Sequence, residues 1–337
     1  MVGPPRAVAE LRTAVRNGLR AFPQPVLVAC SGGADSVALA AALAFEARGR
    51  VGGVTVDHGL QHGSAERADR TAALLRDLGL DPVVVLRVSV GGDGGPEGAA
   101  RSARYDALDA AAEEHGARIA LGHTLDDQAE TVLLGLGRGS GPRSVAGMVE
   151  DRPPYWRPLL GVRRATTRQA CADQGLTVWD DPWNDDPAYT RARLRAEVLP
   201  LLEDVLGGGV APALARTAGM LREDLDALDA LAEAEFAALT AGSPDGSLPV
   251  EPLGSLPAAL RRRVLRGWLR AAAVPDVQAV HLHSVEALVT GWRGQGAVDL
   301  PGGAGVVRAS GRLLLLSAPD RGGRPDAPDD LEEPTRD

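Results

Sequence analysis

The sequence predicts an α/β fold: a parallel, doubly wound sheet with helices on both faces, followed by a small, mainly helical second domain. Three observations predict it. Short apolar runs alternate with helix-period segments from Val26 to Leu136, as in a parallel sheet whose strands are joined by crossover helices. Between the first run and the helix after it lies Ser31-Gly32-Gly33-Ala34-Asp35-Ser36, where adjacent glycines let the backbone approach an oxyanion and the following helix aims its unpaired N–H groups at it. Beyond Gly207-Gly208-Gly209 the alternation stops and helical periodicity dominates, which marks a boundary. The expected domains are 1–205, 206–318 and an acidic tail over 319–337.

Taken in order, Val8, Leu11, Val15 and Leu19 recur at helical spacing and predict an amphipathic helix over 7–20 that packs on the sheet. Strands are predicted at 26–30, 51–56, 83–88 and 119–121, with helices at 65–78, 97–115 and 126–136 and a glycine-rich loop over 89–96. From Gly137 the chain turns rich in Gly, Arg and Pro, with a helix over 163–174 and a polar loop over 179–187 that leads to Arg191, Arg193 and Arg195. Loops of this length and charge are functional or disordered. Past the glycine triplet the pattern gives a helix over 210–239, a linker over 243–254, helices over 257–273 and 277–290, and a hairpin pairing 306–308 with 313–316. The tail is expected to be disordered.

Composition narrows the function. With 337 residues, 45% of them apolar, the chain can build two cores. No apolar run approaches the roughly 18 residues of a membrane span and no leader pattern opens the chain, so a cytoplasmic location is expected. Cys30 and Cys171 lack CxxC spacing, which argues against a zinc knuckle, a cluster or a redox pair. A Walker loop needs a lysine, and all 36 basic residues are arginine. A net charge of −9 is unlike a general nucleic-acid binder, yet residues 256–270 hold Arg261, Arg262, Arg263, Arg266 and Arg270 with no acid. These form either a solvated helix face or a basic patch.

The Ser31–Ser36 stretch reads as a phosphate cradle, with Asp35 holding a cation such as Mg2+; the plain alternative is a strand-to-helix turn in which Asp35 or Ser36 caps the helix. Asp57-His58 and Gly122-His123 follow later strands, and ligands of open α/β sheets bind at strand carboxyl ends. Just after them come Asp126, Asp127 and Glu130. Asp127 and Glu130 share a helix face, and Asp126 alone would be explained by the helix dipole. Together these acids suit Mg2+, a substrate amine or a proton taken from that amine.

The cradle resembles the SGGxDS signature of the PP-loop ATP pyrophosphatase superfamily. Six collinear blocks over residues 25–200 resemble the tRNA(Ile)-lysidine synthase family in its short form: Val56 to Leu60, Glu97 to Tyr105, Gly122 to Thr131, Arg138 to Met148, Arg157 to Leu160, and Asp181 to Arg195. The resemblance implies an adenine-nucleotide α-hydrolase-like fold and a ligase. In that reaction the wobble cytidine of a tRNA(Ile) with a CAU anticodon attacks the α-phosphate of ATP, and free L-lysine then displaces AMP at C2. It implies ATP contacts at Ser31, Gly32, Gly33, Ala34, Asp35, Ser36, Val56, Asp57, His58, Gly122 and His123, with Mg2+ on Asp35 and Asp127. Lysine binding and catalysis would fall to Asp126, Asp127, Glu130, Arg101 and Arg104, and tRNA contacts to Arg138, Arg191, Arg193, Arg195, Arg261 and Arg262. A homodimer is compatible with it. The alternatives are a tRNA thiolase, for which Cys30 and Cys171 are wrongly placed, a small-molecule adenylating ligase, and a nucleotide-sensing module without catalysis.

Overall fold

The computed structural model describes residues 3–316 apart from 22, 48, 60–62, 89–94, 140, 185 and 244. Most of the expected 89–96 loop and the whole 319–337 tail therefore lie outside the described residues. The chain divides into two compact units, residues 1–222 and 223–337.

In the first unit, α1 (Arg6–Leu19) buries Ala7, Val8, Leu11, Val15 and Leu19, the stripe that the helical period selects. Strand β1 (Val26–Ala29) is buried at all four positions and leads through the cradle into α2 (Ala34–Ala47). The alternation continues with β2 (Val51–Asp57), α3 (Ser64–Asp77), β3 (Val83–Arg87), α4 (Gly95–Glu114), β4 (Arg118–Leu121) and α5 (Leu125–Arg138). Then α6 (Pro142–Val145) precedes two dipeptide strands, β5 (Asp151–Arg152) and β6 (Tyr155–Trp156). The unit is completed by α7 (Arg164–Asp173), α8 (Thr190–Arg193), α9 (Leu199–Val205) and the start of α10 (Val210–Thr240).

The six strands run in the order β3-β2-β1-β4-β6-β5. All neighbours are parallel except β5, which pairs antiparallel with β6 at the edge. Two cores cover the two faces. Val26 and Val28 point into one, with α1, α2 and α7, whereas Leu27 and Ala29 point into the other, with Leu108, Ala111, Ile119 and Leu121. The chain leaves β1 toward β2 and β3 and then returns to β4 on its other side, so the strand order reverses at β1. Such a switch point opens a crevice beyond the strand ends, and the cradle, Asp57-His58 and Gly122-His123 all stand there.

The second unit holds α11 (Val250–Ser255), α12 (Ala258–Ala271) and α13 (Ala279–Thr290) with a four-stranded antiparallel sheet. The expected hairpin is present as β9 (Gly305–Ala309) and β10 (Arg312–Leu316), flanked by β7 (Leu248–Pro249) and β8 (Val298–Asp299). The expected linker over 243–254 is thus corrected: it supplies β7 and the start of α11. Leu248 and Leu253 are fully buried there, and the Val250 N–H donates to the Gly311 carbonyl at 2.9 Å. A two-residue strand has no period to read, and Pro249 and Gly254 masked the burial.

Candidate active site

The cradle is shaped by its own hydroxyls. Ser36 Oγ donates to the Gly33 carbonyl at 2.9 Å and accepts from the Ser31 N–H at 3.2 Å. Gly32 has φ +87°, a left-handed conformation that favours glycine. Gly122, just past β4, lies so close that a Cβ there would sit 3.0 Å from the Asp35 carbonyl and 3.1 Å from Ser36 Cα. Glycine at 122 therefore lets the end of β4 pack directly on the first turn of α2, which brings α5 and its acids beside the cradle.

A cavity of about 830 Å³ opens in front of the cradle, within the range that small-molecule and cofactor sites occupy. Ser31 and Gly33, Val56 to His58, Arg67 and Thr71, Arg104, and Trp179, Arg191 and Arg195 all line it. Trp179 is fixed on the cradle through its backbone, the main-chain N–H donating to the Gly32 carbonyl at 2.9 Å. The Asp57 carboxyl is held below its ordinary range by hydrogen bonds from the Ser64 side chain and the Gly59 N–H. Burial and the nearby charge of Arg104 push the His58 imidazole pKa down, so it is neutral.

Beside the cavity three carboxylates converge on one guanidinium. Arg164 meets Asp127 at 2.5 Å, Glu130 at 3.2 Å and Asp35 at 3.4 Å. Arg195 adds contacts to Glu130 at 3.0 Å and Asp127 at 3.9 Å. Glu130 is 0% exposed, and leaving a buried carboxylate without partners of this kind is costly. Thr124 caps α5 and fixes Asp127, its N–H and hydroxyl donating to Oδ2 at 2.8 and 2.7 Å. Burial works against ionisation of Asp127, but Arg164 and Thr124 outweigh it and hold its pKa below the usual value. Asp35 is displaced the other way: burial, with the charge of Asp127 adding to it, raises its pKa above the ordinary value despite Thr167 and Arg164. Burial drives His123 down to about 3, so its ring is neutral, and its buried Nδ1 has no hydrogen-bond partner among the described residues.

The sequence-predicted residues separate clearly. Ser31, Gly33, Val56, Asp57, His58, Arg104, Arg191 and Arg195 line the cavity. Asp35, Asp127 and Glu130 gather at Arg164, whereas Asp126 faces Arg163 (2.9 Å) and the Arg164 N–H (2.8 Å) and ties α5 to the start of α7. Arg101 lies over the Tyr105 ring, 4.9 Å from its centroid. Arg138 is exposed in the last turn of α5. Arg193 pairs with Glu197 one turn on at 3.0 Å. In the second unit Arg261 and Arg262 both bind the buried Glu286, at 2.9 and 2.7 Å. Sequence reasoning missed Arg163, Arg164, Thr167, Arg67 and Trp179. One signal was available: two arginines at the start of α7 oppose the helix dipole, so they had to be there for another reason.

Asp35 and Asp127 share the Arg164 guanidinium and offer hard carboxylate oxygens. Among the described residues no group of three or more His, Cys, Asp or Glu side chains could hold a metal ion. Two carboxylates without a full protein cage fit Mg2+, which keeps several waters and binds through one or two carboxylates plus substrate phosphates.

A cradle after the first strand, a cavity at the switch point and an acid cluster beside it define a nucleotide-using enzyme of the PP-loop class, and a PP-loop domain model matches residues 7–202. A second model, the TilS substrate binding domain, matches residues 248–314. The chain is 54% identical over 323 residues to the tRNA(Ile)-lysidine synthase of Thermobifida fusca, covering 94% of this chain and 99% of that one. It is 57% identical over 299 residues to that of Streptomyces coelicolor, covering 86% and 84%. The chain belongs to the tRNA(Ile)-lysidine synthase family. Among solved structures, the U34-tRNA thiolase NcsA from Methanococcus maripaludis superposes with a TM-score of 0.54 at 18% identity, covering 64% of this chain and 80% of that one, which shows the shared fold. Among the described residues no single helix is long and apolar enough to cross a membrane.

Proposed function

We propose that this enzyme ligates free L-lysine to C2 of the wobble cytidine of tRNA(Ile) with a CAU anticodon, consuming ATP and forming lysidine. The observation that carries the reading at the site is the gathering of Asp35, Asp127 and Glu130 beside the cradle, since an amine nucleophile and a polyphosphate must meet at one place. In the first step cytidine O2 bonds to the α-phosphorus and pyrophosphate leaves. In the second the lysine ε-nitrogen bonds to C2, the C2–O bond breaks and AMP leaves.

The Ser31–Ser36 backbone and hydroxyls would hold the departing pyrophosphate, the kind of preorganised charge stabilisation that dominates such transfers. Val56, Asp57 and His58 would meet the adenosine, with Gly122 and His123 beside it. Asp35 and Asp127 would hold Mg2+, which supplies charge neutralisation of the polyphosphate. Free lysine carries an amine of pKa about 10.4, so attack requires loss of a proton, and Asp127 and Glu130 would hold the ammonium and take it. Asp126 serves them by anchoring α7. Arg104 lines the cavity without an ion-pair partner among the described residues, so its charge suits the lysine carboxylate or a phosphate, with Arg101 three residues away on the same helix. Of the six arginines expected to meet tRNA, Arg138 and Arg191 are the two without an ion-pair partner among the described residues; Arg193, Arg195, Arg261 and Arg262 would have to share theirs with Glu197, Glu130 and Glu286. A homodimer fits this reading.

The test incubates the protein with ATP, Mg2+, labelled lysine and either the tRNA(Ile) transcript with its CAU anticodon or a control transcript in which U replaces the wobble C. Label entering only the C transcript, with one pyrophosphate per lysine, is expected. Pyrophosphate release without lysine incorporation would instead favour a thiolase-like enzyme with a different nucleophile.

A further inference from the structure

One wall of the cavity carries a cation that no motif covers. Arg67 lies in the second turn of α3 and lines the cavity, its guanidinium 3.9 Å from the centroid of the Trp179 ring. Trp179 is bonded to the Gly32 carbonyl at 2.9 Å. One turn along α3, Thr71 also lines the cavity and approaches the cradle so closely that a Cβ on Gly32 would lie 2.9 Å from its Oγ1. The Arg67 head group is thereby tied, through Trp179, to the cradle end of the cavity. It has no ion-pair partner among the described residues, unlike Arg164 and Arg195. A stacked guanidinium keeps its N–H edge free for hydrogen bonds in the ring plane and loses less entropy on engaging an anion, because the stack already orders it.

We propose that Arg67, held by Trp179, is a further ATP-binding residue of this chain that engages the polyphosphate beside the cradle loop. The inference rests on the reading that the cavity binds ATP. It assigns to α3 and the Trp179 segment a joint role: the stack closes one wall, and the guanidinium edge reads how many phosphates the nucleotide carries.

The experiment measures binding of adenosine, AMP, ADP and a β,γ-non-hydrolysable ATP analogue to the wild-type protein, Arg67→Ala, Arg67→Lys and Trp179→Phe, with thermal melts of each. Arg67→Ala should weaken the triphosphate analogue about tenfold and ADP by less, while adenosine and AMP stay within about twofold of wild type, since a charge-assisted contact is lost only where phosphate is present. Arg67→Lys should recover part of the loss, and Trp179→Phe, which keeps a ring, should retain most of the affinity. Equal weakening of all four ligands would mean that Arg67 only shapes the wall, and unchanged affinity for the analogue would mean that it does not touch phosphate; either result overturns the proposal. Failure of the wild-type protein itself to bind the analogue would strike the ATP reading beneath it.

Discussion

Arg164 brings together acids from two helices that are far apart in sequence, Asp35 from α2 and Asp127 and Glu130 from α5. Its guanidinium is raised above its ordinary pKa, burial being outweighed by those three charges, so it is a permanent cation at the centre of the site. Removing one partner from a buried ion group leaves charge uncompensated, at a cost of about 3–5 kcal/mol. Arg164→Ala should therefore lower unfolding free energy by that order in urea titrations and abolish lysine incorporation. Arg164→Lys keeps the charge but loses the forked geometry, so it should recover more stability than activity. Equal stability of Arg164→Ala and wild type would contradict the placement of the three acids. At this scale the sequence was half legible. The acids were visible because Asp127 and Glu130 are three apart on a helix, but their counter-ion was not, because nothing local ties residue 164 to residues 35 and 127.

The elements show the same division. Helices and strands with a full period, from α1 to α5, were legible from spacing alone, because burial of one face writes itself into the sequence. Dipeptide strands such as β5, β6, β7 and β8 were not, since two residues carry no period and their pairing depends on neighbours elsewhere in the chain. Trp156 in β6 illustrates the consequence: it is 1% exposed and its indole lies against α1, where a Cβ on Gly18 would sit 2.1 Å from Cζ2. Alanine gains about 1 kcal/mol of helix propensity over glycine, but overpacking against a ring with nowhere to move costs about 1–3 kcal/mol. The clash should win. Gly18→Ala should lower the urea midpoint while leaving the KM for ATP unchanged, because the contact lies in the core that covers α1 and not at the strand ends; a raised midpoint would show that the indole can give way.

For the whole molecule, two observations set the terms. The fold places a nucleotide cavity and an acid cluster at one end of one sheet, and the chain as a whole is acidic, with a net charge of −9, so tRNA must be met by local cationic surface. Since phosphate contacts weaken steeply with salt, added salt should raise the KM for tRNA far more than that for lysine. The central claim is that one site performs both bond-forming steps, activation at the cradle and amine attack at the carboxylates. It is tested most directly with ATP labelled in its α-phosphate and a wobble-C CAU transcript, first without lysine and then chased with it. Label bound to the transcript in the absence of lysine and released as AMP on the chase is the predicted result, with Glu130→Gln keeping the first step and slowing the second. A transcript that never acquires label, from protein that binds ATP and is folded, would contradict it.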